Sequence, residues 1–269
     1  MILAALSLGL LIGLAMGALG GGGSILTVPA LVYVLGLSAQ EATTASLVIV
    51  GVAAATASVS HARSRHTRWG VGILLALLGV PASLLGTALN RSVDPNALLL
   101  CFAVVMLLAA VGMLTRARAV AGGRTDASAA TEPRAPAEAS GARSRTGHAL
   151  RIGAAGLGVG FLTGFLGVGG GFVVIPVLVV LLGIPMPTAV GTSLLVISLN
   201  SAVALAARAG QGSFAWEVIA PFTVAAVAGS LAGKRVADRL SAGTLTISFA
   251  VLLVAVAVYV AVRAVLALT

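Results

Sequence analysis

Acidic residues are scarce in this sequence. Aspartate and glutamate number 7 in 269 residues, and charged residues of both signs make up only 9%. A soluble globular domain carries about 25%. A chain so poor in charge cannot cover a water-facing surface with polar groups, so its solvent is lipid. No carboxylate lies well inside an apolar segment; Glu41, Asp94, Glu217 and Asp238 all fall near segment ends. The buried carboxylate relay usual in cation pumps is therefore missing. Cysteine is limited to Cys101, which excludes an internal disulfide framework and a cysteine-based metal site. His61, His66 and His148 lack metal-ligand spacing. There is no nucleotide-binding P-loop, and no nucleophile–base–orienter set points to an enzyme. No cofactor is expected.

What is present is apolar. Hydrophobic residues reach 59% with 34 glycines, and the mean hydropathy is +1.13. The net charge of +9 sits in arginines between apolar runs, with no basic patch interleaved with aromatics. Topology control accounts for it better than nucleic-acid binding. The first residues lack the charged start of a secretory signal, and their apolar stretch runs far beyond one. They are read as part of the mature protein.

Apolar segments fall at Ile2–Leu37, Thr43–Ser60, Val71–Leu89, Ala97–Leu114, Ile152–Ile184, Ala189–Ala207, Val218–Gly233 and Thr244–Val262. Most match the roughly 20 residues that cross a bilayer core. Residues 115–147, rich in Arg, Ala, Ser, Thr, Pro and Gly, are expected to form a disordered linker. The linker separates a first membrane repeat, 1–114, from a second, 148–269. Adding 147 to a residue number in the first repeat carries Gly13 to Gly160, Pro29 to Pro176, and Ser46 to Ser193. The same step carries Trp69 to Trp216, the chain's only two tryptophans. This is an internal duplication of the kind that builds transporter folds.

The loop around Arg63, Arg65 and Arg68 is strongly basic, whereas its equivalent around Arg208 and Glu217 is not. The bias reverses at the next loop, where Arg91 and Asp94 correspond to Lys234, Arg235, Asp238 and Arg239. Because positive loops stay cytoplasmic, the favoured reading inserts the repeats upside down relative to each other. Each repeat then has three full crossings after a re-entrant hairpin. Eight full crossings with parallel repeats is the alternative.

Both long first segments carry glycine clusters: Gly17-Ala-Leu-Gly20-Gly-Gly-Gly-Ser24 before Pro29, and Gly164-Phe-Leu-Gly167-Val-Gly-Gly-Gly171 before Pro176. Such runs break a membrane helix, and broken backbone at membrane depth survives only inside protein or beside water. New half-helices would start near Ser24 and Gly171. Their unpaired N–H groups and positive dipole ends would form an anion site. The candidate substrate-binding residues here are Gly20, Gly21, Gly22, Gly23, Ser24, Gly167, Gly169, Gly170 and Gly171. Close packing through small residues is the competing explanation. The second spans add Thr44, Ser46, Thr192, Ser193 and Asn200, which could bind an oxyanion or merely bond between helices. His61 and Arg208, at equivalent span ends, are candidate gating residues, although interfacial snorkelling explains such positions too.

The two glycine motifs with their prolines resemble the TauE/SafE family of sulfite and organosulfonate exporters. The resemblance extends through Ala189-Val-Gly-Thr192-Ser193-Leu194 to the Gly79…Gly86 and Gly229…Gly233 helices, and covers nearly the whole chain except the linker. The long Arg-rich linker departs from the family pattern, as does Ser24 where the second repeat has Gly171. The resemblance implies export of small sulfur-containing anions such as sulfite or sulfoacetate.

Together these features describe an all-α, multi-pass protein of the cell (inner or plasma) membrane. The expectation is a secondary carrier with a midplane anion site, one half rocking against the other. Its expected partners are a small anion, the lipid bilayer and a second copy of the chain, with no nucleic acid. A passive anion channel and a non-transporting membrane assembly protein are the competing functions.

Overall fold

Among the described residues the chain is largely helical, with positive-φ glycines at Gly20, Gly36 and Gly183 marking turns between helices. The computed structural model describes residues 2–64, 66–90, 93, 95–121, 141–166, 171–207 and 216–266. The first repeat contains α1 (Ile2–Leu19), α2 (Gly22–Tyr33), α3 (Ala39–Arg63), α4 (Trp69–Asn90) and α5 (Pro95–Ala121). The second contains α6 (Gly141–Leu166), α7 (Gly171–Pro176, continued as a π turn Val177–Leu181), α8 (Met186–Ala207), α9 (Trp216–Ala237) and α10 (Ala242–Leu266). No strand occurs among the described residues. Seven of these helices, α1, α3, α4, α5, α8, α9 and α10, are long and apolar enough to cross a membrane. Their outer faces carry exposed Leu3, Leu84, Leu85, Leu108 and Val224, which suits lipid rather than water.

Element boundaries follow local chemistry. Gly20 adopts φ +70°, a left-handed conformation that ends α1 at little steric cost because glycine has no Cβ. The chain then folds back, bringing Gly23 against the Ile12 carbonyl and Met16 of α1, so α1 and α2 form a hairpin. Ser38 starts α3 with a reciprocal cap: its Oγ accepts from the Glu41 N–H, and the Glu41 carboxylate accepts from the Ser38 N–H. The duplication persists in detail. Leu37 N–H donates to Leu31 O at 3.1 Å, and its counterpart Ile184 N–H donates to Leu178 O at 2.9 Å.

Two boundaries differ from the sequence expectation. The first half-helix begins at Gly22 rather than near Ser24, because only Gly20 takes the left-handed turn and Gly21 already has right-handed helical geometry. The expected linker is helical at both ends, since α5 continues to Ala121 and α6 starts at Gly141. Residues 122–140 lie outside the described residues.

The two repeats interlock. Helix α1 packs along α9 of the other repeat, with Gly9, Gly13 and Gly17 set against the backbone of Phe222, Ala226 and Ser230. Both numbers rise together, so the two helices run in the same direction. Helix α6 packs along α4 in the corresponding way: Gly160 meets Gly79 and Gly164 meets Ser83, again in step. Adding 147 to the α1 member and subtracting 147 from the α9 member turns Gly13–Ala226 and Gly17–Ser230 into Gly160–Gly79 and Gly164–Ser83, with the repeats exchanged. Side chains at these positions would strike backbone, and bare glycine lets helices approach closely enough for dispersion to hold them in lipid. Helices α3 and α8 form the centre. The largest fully buried side chains, including Phe172, Phe222, Phe249, Met16 and Met106, fill the space around them.

Candidate functional site

Both short helices begin in the interior. Gly20 through Ser24 are buried, as is Gly171. A Cβ on Gly21 would fall on the Gly171 carbonyl, and one on Gly171 would stand 3.1 Å from Gly21 Cα and 2.7 Å from Ser24 Oγ. The starts of α2 and α7 therefore meet backbone to backbone. Gly20 faces α7 and α8, where an added Cβ would stand 2.7 Å from Ser193 Oγ and 2.7 Å from Ile175. Gly22 faces Leu252 and Phe249 of α10. The cap residue Gly21 has no side chain to satisfy the first N–H groups of α2. Gly167, Gly169 and Gly170 lie outside the described residues.

The hydroxyls singled out from the sequence are arranged differently from a set of anion donors. Ser24 donates to Gly21 O at 2.7 Å, Ser46 to Thr43 O at 2.8 Å, and Ser193 to Val190 O at 2.8 Å. Thr44 donates to Gln40 O at 3.1 Å. Thr192 donates to Thr188 O at 2.7 Å and accepts the Arg68 N–H at 3.0 Å. A hydroxyl has one hydrogen, and in this conformation each is already bonded to a helix carbonyl. Such groups can still accept a hydrogen bond. Without these hydroxyl hydrogens, the expected anion site rests on the backbone N–H groups at the helix starts.

Asn200 differs. Its side-chain oxygen is buried and has no partner among the described residues. A half-turn of the amide exchanges this oxygen for the NH2 group, so the position can present an acceptor or a donor. It sits on α8 beside Ser201, which faces Gly51 of α3.

His61 is buried to 2% exposure, with Nε2 3.2 Å from Gly17 O. It lines a cavity of about 320 Å³ together with Ser64, His66, Asp238 and Leu245. Arg208, its counterpart in the second repeat, lies outside the described residues. Asp238 reaches this cavity while paired with Lys234. From the sequence, that segment reads only as a topology signal. The i, i+4 spacing of Lys234 and Asp238 marks a pair on one helix face, but nothing in the sequence sets that face beside His61. Trp69 and Trp216 are both exposed at the first residue of α4 and α9, a position that suits an interfacial anchor.

Comparison with known proteins agrees with this architecture. The family described as "Sulfite exporter TauE/SafE" matches residues 5–260. A "Probable membrane transporter protein" of Xylella fastidiosa (strain Temecula1 / ATCC 700964) is 32% identical over 253 residues, covering 93% of this chain and 91% of that protein. The "Probable membrane transporter protein YunE" of Bacillus subtilis (strain 168) is 22% identical over 255 residues, covering 92% of each. No solved structure matches. With its paired glycine clusters, interlocked repeats and a match over nearly its whole length, this multi-pass membrane chain belongs to the TauE/SafE family of membrane transporters.

Proposed function

We propose that this chain is a secondary carrier that exports a small anion, sulfite or an organosulfonate such as sulfoacetate, past the paired starts of α2 and α7. The observation that carries the reading is the meeting of Gly21 and Gly171 in the interior. Two helix N-termini each contribute roughly half a positive charge, and together they attract an anion without a basic side chain. The glycines leave the amides bare. Close backbone contact at this point also favours a carrier over a continuously open channel, because a permanent pore needs an unobstructed path there.

The packing supports inverted repeats. His61 near the end of α3 meets Gly17 near the end of α1, so these two helices run alike and α4, after the next turn, runs against them. With α1 parallel to α9 and α4 to α6, this favours equivalent helices α1 and α6 pointing in opposite directions. Ser64, before α4, and Leu240, before α10, line one cavity, although a parallel duplication would put these turns on opposite faces. That end of the bundle also holds Arg63, Arg68, Lys234, Arg235 and Arg239. Positive charge assigns it to the cytoplasm. Rocking of one sequence half against the other is harder to reconcile with the interlock, since α1 is bound to α9 and α6 to α4. The moving bodies we assign are therefore mixed, each built from helices of both repeats.

The test is counterflow in proteoliposomes loaded with sulfite or sulfoacetate. Wild-type protein is expected to give saturable exchange, and Gly21→Val or Gly171→Val should reduce it at least tenfold. Flux that never saturates would favour the channel. Absence of flux and of binding would favour a non-transporting role.

A further inference from the structure

His61 offers an atom that the helix-start site does not use. Its Nε2 faces the Gly17 carbonyl at 3.2 Å. A carbonyl only accepts, so Nε2 carries the hydrogen, and in a neutral imidazole Nδ1 is then a bare acceptor. Nδ1 is buried and has no partner among the described residues. A buried acceptor without a donor is costly, so the position calls for a ligand that brings a hydrogen. The adjoining cavity of about 320 Å³ is large enough for a small oxyanion, and it also presents Ser64 and His66.

The charged and titratable groups around His61 are few. The α3–α4 turn contributes His66, and α9 contributes Lys234 and Asp238, which neutralise each other as an ion pair. Helix α1 offers only the Gly17 carbonyl. Helix α8 faces the cavity with Pro187 and Val190, and α10 with Leu245. No described group is hydrogen-bonded to Nδ1, and no three of the described histidine, cysteine and acidic residues are grouped to hold a metal ion.

We propose that this cavity is a vestibular binding site for a singly protonated oxyanion, whose O–H donates to His61 Nδ1. The pair shares one proton: the anion with neutral His61 interconverts with the dianion beside an imidazolium, and nothing else is gained or lost. An anion loaded here from the basic end of the bundle arrives with its proton. The inference deepens the carrier reading and rests on it, replacing a general gating role for His61 with a proton-carrying one.

The test uses the full chain in detergent micelles with sulfite as the probe. Where free sulfite is fully deprotonated, binding should take up about one proton per anion from a weak buffer. Affinity there should fall about tenfold per pH unit. Nitrogen-15 imidazole spectra of the wild type should show the His61 Nδ1 signal moving away from that of a bare acceptor on saturation. His61→Gln retains an amide near the Nε2 position for Gly17 but has no Nδ1. It should melt with the wild type, lose the proton uptake, and bind sulfite at least tenfold more weakly. Binding by the wild type without proton uptake, or an unchanged Gln variant, overturns this proposal and leaves the carrier reading standing. If the wild type binds neither sulfite nor sulfoacetate, both fall together.

Discussion

At the residue scale, what decides each glycine is the atom its missing side chain would meet. Gly21 faces the Gly171 carbonyl, whereas an added Cβ on Gly70 or Gly158 would have nothing within 4 Å. Gly21→Ala is therefore expected to destabilise the protein by about 1–3 kcal/mol through overpacking. Gly158→Ala, in open space on α6, should be neutral or slightly stabilising because alanine is the better helix former. Thermal unfolding in detergent separates them, and equal melting temperatures for the two variants would contradict the backbone contact. Ser193→Ala should leave sulfite affinity within about twofold, since its hydrogen is already on Val190 O. Binding isotherms check this, and a tenfold loss would make the hydroxyl a ligand after all. Much of this site is legible in sequence as a list of residues. The glycine clusters stand out, but the occupation of each hydroxyl by its own helix does not, because back-bonding depends on rotamer and not on spacing.

At the element scale, the capped and broken ends matter most. The Ser38–Glu41 capping box fixes where α3 starts after the hairpin. Ser38→Ala should cost about 1 kcal/mol, and a melting curve indistinguishable from wild type would show the cap to be idle. The glycine stripes of α1 and α6 are the other element-level device. Gly13→Leu would drive a side chain into the Ala226 backbone, and Gly160→Leu into that of Gly79. Because the two contacts are related by the duplication, both variants should lose folded yield to a similar degree, measured by monodisperse recovery in size exclusion. A large loss from one and none from the other would break the equivalence. Gly9 and Gly13 serve close helix packing. Which helix receives them cannot be read in the sequence, since a small-residue stripe specifies closeness and not a partner.

At the scale of the whole molecule, the interlocked repeats bear on topology. In a Cys101→Ser background, Ser64→Cys and Ser241→Cys should react with an impermeant maleimide from the cytoplasmic face alone. Val93→Cys should react only from outside. A parallel duplication would place Ser64 and Ser241 on opposite faces, so labelling from opposite sides would end the inverted reading. No single helix sets this topology. It comes from Ser64 and Leu240 lining one cavity and from Gly17 of α1 meeting His61 near the end of α3, together with the parallel pairs α1–α9 and α6–α4.

The class, the duplication and the places where helices break can all be read from the linear chain. Those properties are written in composition, in a constant 147-residue offset and in local backbone preference, all of which act over a few residues or one span. Packing in three dimensions was needed to bring Gly21 to Gly171, to make each repeat clasp the other, and to set His61 and Asp238 on one cavity. In lipid the hydrophobic effect does not choose among apolar faces. Partners are selected instead by close backbone fit, a property of surfaces brought together in space that no stretch of sequence displays.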